Sequence, residues 1–368
     1  MKLAITHDYL NQYGGAERII EDLHKIWPSA PIYTSVYDKG HMKELGFREN
    51  GTIIFTSFMQ HFPFLRILPK YYYTFFYPIA FHHFNFKGYD TILSVSSYAA
   101  KDIRKPSGSI HVAYINTPPR FLYGYDQETN ISKMNYIERH LAAFWKIYLL
   151  SRDQKSVARV DYIIANSENV KKRIKKSYNR ESVVIYPPVD TARFAAPSFD
   201  GGYFLIVSRL GEYKKVDLVV KAFNNLGLPL KVVGTGPQLA YLKQIAHGNV
   251  AILERLDDDK VRDLFLGCRA FVFPTEEDFG IAPVEAMAAG KAVICFGKGG
   301  AAETVVDGKT GIFFHEQSVA AIEDAVRGFN PNNFSETLCR LQAQKFDRKV
   351  FQREIKSFVE KCYSGKIG

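Results

Sequence analysis

Cysteine and long apolar runs are scarce in this chain of 368 residues. Its four cysteines lie far apart in the second half, with no Cys-x-x-Cys pair and no histidine at metal-ligand spacing. We therefore expect reduced, packed thiols, as in a cytoplasmic protein, and neither a disulfide framework nor a metal centre. No apolar run reaches the ~18 residues of a membrane-spanning helix. The N-terminus becomes polar after five residues, which is too short for the apolar region of a signal peptide.

Acidic residues are also scarce in the first half of the chain. Residues 1–190 contain 25 Lys and Arg against 17 Asp and Glu, whereas the remainder contains 23 against 21. Most of the formal charge of +10 therefore lies in the first half. This imbalance predicts an acidic partner, either a nucleic acid or an anionic membrane surface. A solvated basic face that only aids solubility is the alternative.

Aromatic residues, in contrast, are concentrated in residues 55–89, where 14 of 35 are Phe or Tyr. Arg66, Lys70 and Lys87 are interleaved with these rings. Aromatic and basic side chains together suit a membrane interface or a groove for an amphipathic acceptor. Packing of the same rings beneath a sheet explains most of them equally well.

Short apolar runs alternate with helical patterns along the chain, which predicts an α/β fold of parallel sheets with crossover helices. The runs form two series, so we expect two doubly wound, Rossmann-like domains. The first series is 2–6, 32–36, 52–55, 91–95, 111–115 and 162–165, and the second is 203–207, 230–233, 250–253, 270–273, 292–295 and 311–314.

A proline-punctuated stretch, 186–198, separates the two series. We therefore expect a first domain of residues 1–190 and a second of residues 191–345. The tail has helical periodicity and no strand pattern. It is predicted to cross back to the first domain as a helix at about 346–368.

The most informative segment is 274–290, which follows an apolar strand. An alanine-rich helix, predicted to start at 284 with Glu285 in its first turn, ends at Gly290, a residue suited to a left-handed cap. Backbone N–H groups between Glu277 and Glu285 are predicted at a helix N-terminus, where the dipole favours an anion. These groups belong to Phe279, Gly280, Ile281 and Ala282. Carboxylates on both sides of an anion site suit a nucleotide sugar. An ordinary strand, acidic turn and alanine-rich helix of an α/β protein gives a similar pattern.

Another strand end carries two cations, and ligands of doubly wound sheets bind where strands end. Ser208, Arg209 and Lys214 follow one strand of the second series. Arg209 and Lys214 suit a diphosphate whose negative charge grows as it leaves. The acidic run 257–259 starts a helix and is interpreted as an N-cap with dipole-complementing acids rather than a metal site.

Glycines mark two further turns. Gly234 and Gly236 follow the next strand and are predicted to let a base or ribose approach the backbone. Gly14 and Gly15 link the first strand to the first helix and give close backbone access at a helix N-terminus. Each of these glycine signals is weak by itself.

The order and spacing of these motifs resemble a retaining glycosyltransferase of family 4, whose members have the two-domain GT-B fold. The resemblance covers nearly the whole chain and is greatest to mannosyltransferases that build O-antigen and other surface polysaccharides. The motifs are Gly14-Gly15, 165–167 with 186–190, 208–210 with Lys214, 234–237, and Glu277-x7-Glu285. The implied architecture has two domains facing a cleft, with a C-terminal helix crossing back to the first.

The resemblance implies transfer of a hexose, most simply mannose from GDP-mannose, with retention of configuration. Arg209 and Lys214 are implied to bind the donor diphosphate, together with the N–H groups of Gly280 and Ile281. Glu277 is implied to contact the transferred sugar. Glu285 is implied to contact the ribose. No metal or other cofactor is implied, because cations and helix N-termini stabilise the leaving charge.

The first domain is implied to bind the acceptor, a lipid-linked or polysaccharide hydroxyl, through His7, Tyr9 and Arg120. The enzyme is expected to act at the inner face of the plasma membrane, held there peripherally. One departure concerns Asn116, where relatives usually have a histidine. Asparagine donates a hydrogen bond to a sugar hydroxyl but does not titrate near neutrality. Either this hydrogen bond suffices or turnover is impaired.

Three alternatives stay open on the sequence alone. Another GT-B enzyme, either a UDP-sugar transferase or a nucleotide-sugar epimerase, has the same motifs. Nucleic-acid binding is disfavoured, because the aromatic residues have apolar neighbours and no single-strand or helix-turn-helix signature is present. The sequence does not specify the nucleobase of the donor either. The residues expected to contact the base, around Gly236 and Arg255-Leu256, form no pattern that distinguishes one base from another.

Overall fold

The computed structural model describes residues 1–12, 14–40, 51–62, 75–125, 136–254 and 256–366. They form two compact units, one of Met1–Pro188 with Phe351–Gly368 and one of Val189–Val350. Each unit contains one parallel sheet with helices, which confirms the predicted α/β fold. The chain passes from the first unit to the second within the predicted proline-punctuated stretch.

The first sheet is entirely parallel and has the strand order β3-β2-β1-β4-β5-β6-β7. Its strands are β1 Leu3–His7, β2 Ile32–Thr34, β3 Ile54–Thr56, β4 Thr91–Ser96, β5 Ile110–Ile115, β6 Tyr162–Ala165 and β7 Val183–Val184. The chain builds outward from β1 on one side and then returns to its other side with β4. The direction of winding therefore reverses between β1 and β4.

The second sheet is also parallel, with the order β10-β9-β8-β11-β12-β13. Its strands are β8 Phe204–Val207, β9 Leu230–Val233, β10 Val250–Leu253, β11 Ala270–Phe273, β12 Val293–Phe296 and β13 Gly311–Phe314. Here the winding reverses between β8 and β11. Every predicted run overlaps a strand in the structure. The sequence missed only β7 among the described strands, because its two residues are too short a pattern to recognise.

Helices connect the strands in both units. They are α1 Gly15–Ile26, α2 Phe76–His82, α3 Arg120–Tyr123, α4 Tyr136–Ala158, α5 Glu168–Tyr178, α6 Val216–Leu226, α7 Leu239–Ile245, α8 Asp258–Gly267, α9 Ile281–Ala288, α10 Ala301–Thr304, α11 Val319–Gly328, α12 Glu336–Gln344 and α13 Arg348–Tyr363. Within the described ranges, none of these helices is both long and apolar enough to cross a bilayer.

The tail returns to the first unit as predicted. Phe351, Ile355, Val359 and Cys362 recur on one side of α13, and all four are buried in the core cluster that contains β1. The ring of Phe351 packs edge-on against Tyr114 of β5, with centroids 6.0 Å apart. The first unit is therefore built from two segments of chain that are far apart in sequence.

The predicted N-cap in the acidic run 257–259 is confirmed. Asp257 caps α8 by accepting a hydrogen bond from the N–H of Lys260 at 2.8 Å. The four cysteines are unpaired and buried. In the part of the chain that the structure describes, no cluster of His, Cys, Asp or Glu is arranged to hold a metal ion.

Part of the aromatic segment 55–89 belongs to the core of the first unit. Phe81 and Phe86 are fully buried and pack with Tyr33 of β2. These rings therefore follow the packing explanation. Arg66 and Lys70, the cations predicted to accompany the rings, lie outside the described residues.

Candidate functional site

The predicted donor residues of the second unit converge at the point where the winding of its sheet reverses. Ser208 and Arg209 follow β8 directly, and Glu277 lies four residues beyond β11. Because β8 and β11 are neighbours, both segments leave the same carboxyl edge of the sheet. This edge is where open α/β sheets bind ligands.

Lys214 and Glu277 form an ion pair between Nζ and Oε1 at this edge. Their side chains are 13% and 21% exposed, so solvent reaches both partners. The Lys214 ammonium also lies 5.0 Å from the ring centroid of Tyr213. The Tyr213 carbonyl accepts a hydrogen bond from the Thr275 hydroxyl at 2.8 Å. These contacts join the loop after β8 to the segment after β11.

Arg209 adds a second cation to the same edge. Its residue is exposed, whereas neighbouring Ser208 is half-buried and donates its hydroxyl hydrogen to the Arg209 carbonyl at 3.0 Å. Arg209 and Lys214 therefore both belong to loops at this edge, and cations of this kind form strong hydrogen bonds with phosphates.

Gly234 and Gly236 are explained by packing of protein on protein. A Cβ atom on Gly234 would lie 1.8 Å from the carbonyl oxygen of Ser208, and one on Gly236 would lie 2.5 Å from that of Leu210. The loop after β9 therefore presses its backbone against the loop after β8. The side of each glycine where a Cβ would sit is therefore filled by protein. The approach of a base or ribose to these glycines stays a prediction.

A second glycine pair supports Glu277. The Gly300 N–H donates to the Glu277 carbonyl at 2.9 Å. A Cβ on Gly299 would lie 2.5 Å from the same carbonyl oxygen, and one on Gly300 would lie 2.2 Å from the Cα of Phe279. The Gly300 N–H is therefore used within the protein, by the Glu277 carbonyl.

The helix after β11 begins earlier than predicted. α9 starts at Ile281, so Glu285 lies in its second turn, and the prediction of a first-turn position is wrong. The early start is possible because Gly280 adopts a left-handed conformation at the N-cap, with φ of 87°, and because Pro283 is tolerated in the first turn. Gly290 has φ of 78°, as predicted for a left-handed cap.

The predicted donor contacts around α9 differ in accessibility. Phe279 is buried, and its ring packs on Phe346 with centroids 5.6 Å apart. Ile281 and Ala282 are half-buried, whereas Glu285 is 8% exposed. A donor contact with Phe279 therefore involves its backbone only.

Leu256 is half-buried beside the N-cap of α8. Arg255, its predicted neighbour in base recognition, lies outside the described residues. The contact of Leu256 with a base stays a prediction.

In the first unit the predicted residues also lie at a carboxyl edge, where β1, β4 and β5 end. Gly14 is the N-cap of α1 in extended conformation, and Gly15 is the first residue of that helix. A Cβ on Gly14 would lie 3.2 Å from a carboxylate oxygen of Glu17. Glu17 is buried in the first turn of α1, so a negative charge already lies at this helix N-terminus.

His7 is the last residue of β1 and is only 2% exposed. Its Nδ1 lies 3.2 Å from the Val95 carbonyl, which only accepts, so this nitrogen carries the hydrogen. Its Nε2 faces a Glu17 carboxylate oxygen at 3.5 Å. Contact between His7 and an acceptor therefore requires its neighbours to move, whereas Tyr9 is half-buried and accessible.

Asp8 organises this edge, a role that the sequence did not reveal. Its two carboxylate oxygens accept hydrogen bonds at 2.6–2.9 Å from four consecutive backbone N–H groups, those of residues 97–100. The segment after β4 is thereby fixed to the end of β1. An aspartate immediately after a buried strand was the available signal, but its four partners are about 90 residues away.

The segment held by Asp8 in turn orients Asn116. The Asn116 side-chain amide donates to the Ser97 hydroxyl at 3.3 Å, and its backbone N–H donates to the Ser96 carbonyl at 2.9 Å. Asn116 is half-buried, as is Arg120 at the start of α3. Both side chains are thus accessible to a ligand at this edge.

Tyr98 is the ionisable residue of segment 97–100, which Asp8 holds. Burial, reinforced by the carboxylates of Asp153 and Asp8, raises the pKa of Tyr98 well above its usual value. The hydroxyl therefore stays protonated near neutral pH. It can donate a hydrogen bond but does not act as a base at this pH.

Two family models match consecutive parts of the chain. The model described as Glycosyltransferase Family 4 matches residues 13–193, and the one described as Glycosyl transferases group 1 matches residues 190–344. The junction between the matches lies close to the division between the two units.

Curated relatives show modest similarity. An uncharacterised glycosyltransferase of Methanocaldococcus jannaschii is 26% identical over 56% of this chain and 58% of its own length, so the match spans just over half of that relative. An alpha-1,3/1,6-mannosyltransferase of Dictyostelium discoideum is 25% identical over 90% of this chain and 89% of its own length. A GDP-mannose-dependent phosphatidylinositol monomannoside mannosyltransferase of Mycobacterium tuberculosis is 36% identical over 33% of this chain and 36% of its own.

Solved structures match the whole chain. HepE of Anabaena, solved in complex with UDP, has a TM-score of 0.70 at 17% identity and covers 98% of this chain and 100% of its own. Sucrose-phosphate synthase of Thermosynechococcus elongatus has a TM-score of 0.74 at 14% identity, with 99% and 100% covered. These likenesses establish the GT-B fold.

Proposed function

The chain is a family-4-like glycosyltransferase, and from that premise we propose that it transfers mannose from GDP-mannose, with retention, to a lipid-linked or polysaccharide hydroxyl. The observation that carries this proposal is the Lys214–Glu277 ion pair beside Arg209, at the ligand-binding edge of the second sheet. The mannosyltransferases among the relatives support the choice of sugar. A UDP-sugar is the alternative donor.

In the proposed reaction, the bond between the anomeric carbon and the leaving phosphate oxygen breaks, and the acceptor oxygen bonds to the same face of the sugar. The acceptor proton passes to the departing phosphate oxygen. Arg209 and Lys214 stabilise the charge that grows on the diphosphate, and Glu277 holds the sugar hydroxyls. Asn116, oriented by Ser97, supplies a hydrogen bond and no titrating group.

The acceptor side of the proposal rests on the first unit. Tyr9, Asn116 and Arg120 present polar groups at its carboxyl edge, and His7 is buried at the end of β1. The acceptor is proposed to be part of a cell-surface glycan such as lipopolysaccharide. Its lipid anchor places the enzyme peripherally at the inner face of the plasma membrane, where the basic first half favours anionic lipids.

A donor panel tests the proposed reaction. Thermal shifts are measured with GDP-, UDP- and ADP-sugars, followed by donor hydrolysis or transfer, with the product anomer assigned by NMR. We expect GDP-mannose to stabilise the fold most and to be turned over with retention, because a ligand bound by the native state alone stabilises it by mass action. Turnover is expected to be unchanged in EDTA. Inversion of the anomer, or activity restored only by Mg²⁺ or Mn²⁺, would contradict the mechanism.

Glu285→Ala tests the proposed ribose contact. The ribose diol changes little during the reaction, so loss of its partner removes binding that is equal in ground state and transition state. We expect the donor KM to rise at least tenfold, with kcat reduced no more than KM is raised. Initial rates over a range of donor concentrations measure both. Glu336→Ala, which removes an exposed carboxylate of the same unit, is the control, and a normal KM in Glu285→Ala would contradict the placement.

A further inference from the structure

The outer side of α4 presents large apolar side chains to solvent. Phe144, Trp145, Ile147 and Tyr148 are 63%, 40%, 70% and 37% exposed, and these four residues are called the α4 surface. Residues 144, 147 and 148 are spaced three and four apart, so they share one side of the helix. The ring of Phe75 packs against Trp145, with centroids 4.5 Å apart. Contiguous exposed apolar groups of this size mark an interaction site in soluble proteins.

The α4 surface is separate from the side of the helix that packs inward. Leu149, Asp153, Ser156 and Val157 are buried, at the spacing that defines the opposite side. α4 therefore has one apolar side for the unit itself and another that faces outward. The outward side is not a core face left uncovered.

Buried charge pairs fix α4 to the carboxyl edge of the first sheet. Asp153 Oδ1 lies 2.7 Å from Lys101 Nζ, and both side chains are almost completely buried. Arg152 Nε lies 2.7 Å from an oxygen of Asp102. Lys101 and Asp102 directly follow the segment that Asp8 holds. The α4 surface is therefore held firmly relative to the edge where Asn116 lies.

The charge around the α4 surface is positive. Of the α4 side chains that the structure describes, at 140 and 143–158, Lys146 and Lys155 are exposed, and the one acid, Asp153, is buried against Lys101. Tryptophan and tyrosine suit the boundary between acyl chains and headgroups, and lysine stems extend their charge toward phosphates. A protein partner would need acidic residues placed opposite these lysines. An anionic bilayer presents negatively charged headgroups over its whole surface.

We propose that the α4 surface docks the first unit on an anionic bilayer. The four apolar side chains enter the acyl boundary. Lys155 comes seven residues after Tyr148, so it lies on the same side of α4 and faces the headgroups. The inference deepens the proposed function, since it rests on a membrane-bound acceptor, but the binding itself needs no donor. It places the membrane contact on α4 and not on Phe81 and Phe86 of the segment 55–89, which are core residues.

Vesicle binding by the full chain tests this surface. The reporter protein carries Trp27→Phe, which leaves Trp145 as the single tryptophan of a chain that has two. We expect co-sedimentation with phosphatidylglycerol–phosphatidylcholine vesicles, a blue shift of Trp145 fluorescence and quenching by brominated acyl chains. The triple variant Phe144→Ser, Ile147→Ser, Tyr148→Ser is expected to bind at least tenfold more weakly. Lys155→Glu is expected to weaken the preference for anionic over neutral vesicles.

The matched control replaces exposed apolar residues of the second unit by Phe199→Ser, Leu338→Ser and Leu341→Ser. This variant is expected to bind vesicles like the parent protein. Equal binding by the α4 triple variant, or Trp145 fluorescence unchanged by vesicles, would overturn the inference. So would a dimer in solution that the triple variant abolishes, since that result assigns the surface to a second copy. Thermal shifts with GDP-mannose on the same proteins report the proposed function separately, so either proposal fails on its own.

Discussion

Lys214→Ala and Glu277→Ala are each expected to lower kcat/KM for transfer by two to three orders of magnitude. Both side chains lie at the carboxyl edge of the second sheet and contact each other. A charged contact that strengthens in the transition state is worth about 3–4 kcal/mol. The fold is expected to persist, because both side chains are partly solvent-accessible and a surface ion pair contributes only about 0–1 kcal/mol to stability. Initial rates and thermal denaturation of the purified variants measure the two effects.

A double variant tests whether Lys214 and Glu277 act together, as their ion pair indicates. If Lys214 and Glu277 act as one unit, the double variant loses about as much activity as the worse single variant. Asp217 and Lys221, an ion pair on α6 with 3.2 Å between Oδ2 and Nζ, provide a matched control. Asp217→Ala and Lys221→Ala are expected to keep normal turnover. Near-normal turnover in either site variant would remove the assignment of this edge to the donor.

Asp8→Ala is expected to destabilise the first unit by about 3–5 kcal/mol. The substitution leaves four backbone N–H groups without their acceptor, two of them buried and two partly buried. An unsatisfied buried donor costs about 1–3 kcal/mol before relaxation. Asp8→Asn restores the shape but presents an NH₂ group to at least one of these donors. We therefore expect it to be destabilised as well. Thermal denaturation, with hydrogen exchange resolved by unit, measures the loss.

Asp90→Ala is the control for this prediction. Asp90 lies just before β4, is exposed, and accepts a hydrogen bond from the Lys2 N–H at 2.6 Å. Its removal is expected to change stability by less than about 1 kcal/mol, because solvent replaces the lost partner. An Asp8→Ala protein as stable as Asp90→Ala would show that the segment after β4 does not depend on the carboxylate.

The strands were predictable because a parallel strand covered on both faces is a short run of apolar, mostly β-branched residues. β6 and β9 match their predicted runs residue for residue. The return of α13 to the first unit was predictable only through family resemblance, since helical periodicity does not specify which core a helix joins. β7 has too few residues to produce a pattern.

The site was predictable in its residue types and less so in its contacts. Arg209, Lys214 and Glu277 were recognised because they follow predicted strands, and doubly wound sheets bind ligands where their strands end. Their sequence positions do not show that Lys214 pairs with Glu277, since that contact depends on the order of strands in the sheet. The start of α9 was misplaced because proline tolerance in a first turn competes with its role as a helix breaker.

The glycines illustrate the same limit in physical terms. A glycine in a turn is equally compatible with a ligand and with another backbone close to it. At Gly234 the neighbour is the Ser208 carbonyl, and at Gly299 it is the Glu277 carbonyl. Only the folded structure shows whether a ligand or another backbone lies beside the glycine, because the neighbour comes from residues far away in sequence.

The two-segment construction of the first unit has a consequence for synthesis on the ribosome. Residues 189–350 are continuous, so the second unit can condense as soon as its own strands have emerged. The first unit is completed later, because Phe351, Ile355 and Val359, which belong to its core, are translated after the second unit. We expect the apolar surface that they cover to be open to chaperones and to aggregation during that interval. Nascent-chain quality control is therefore expected to act more on the first unit than on the second.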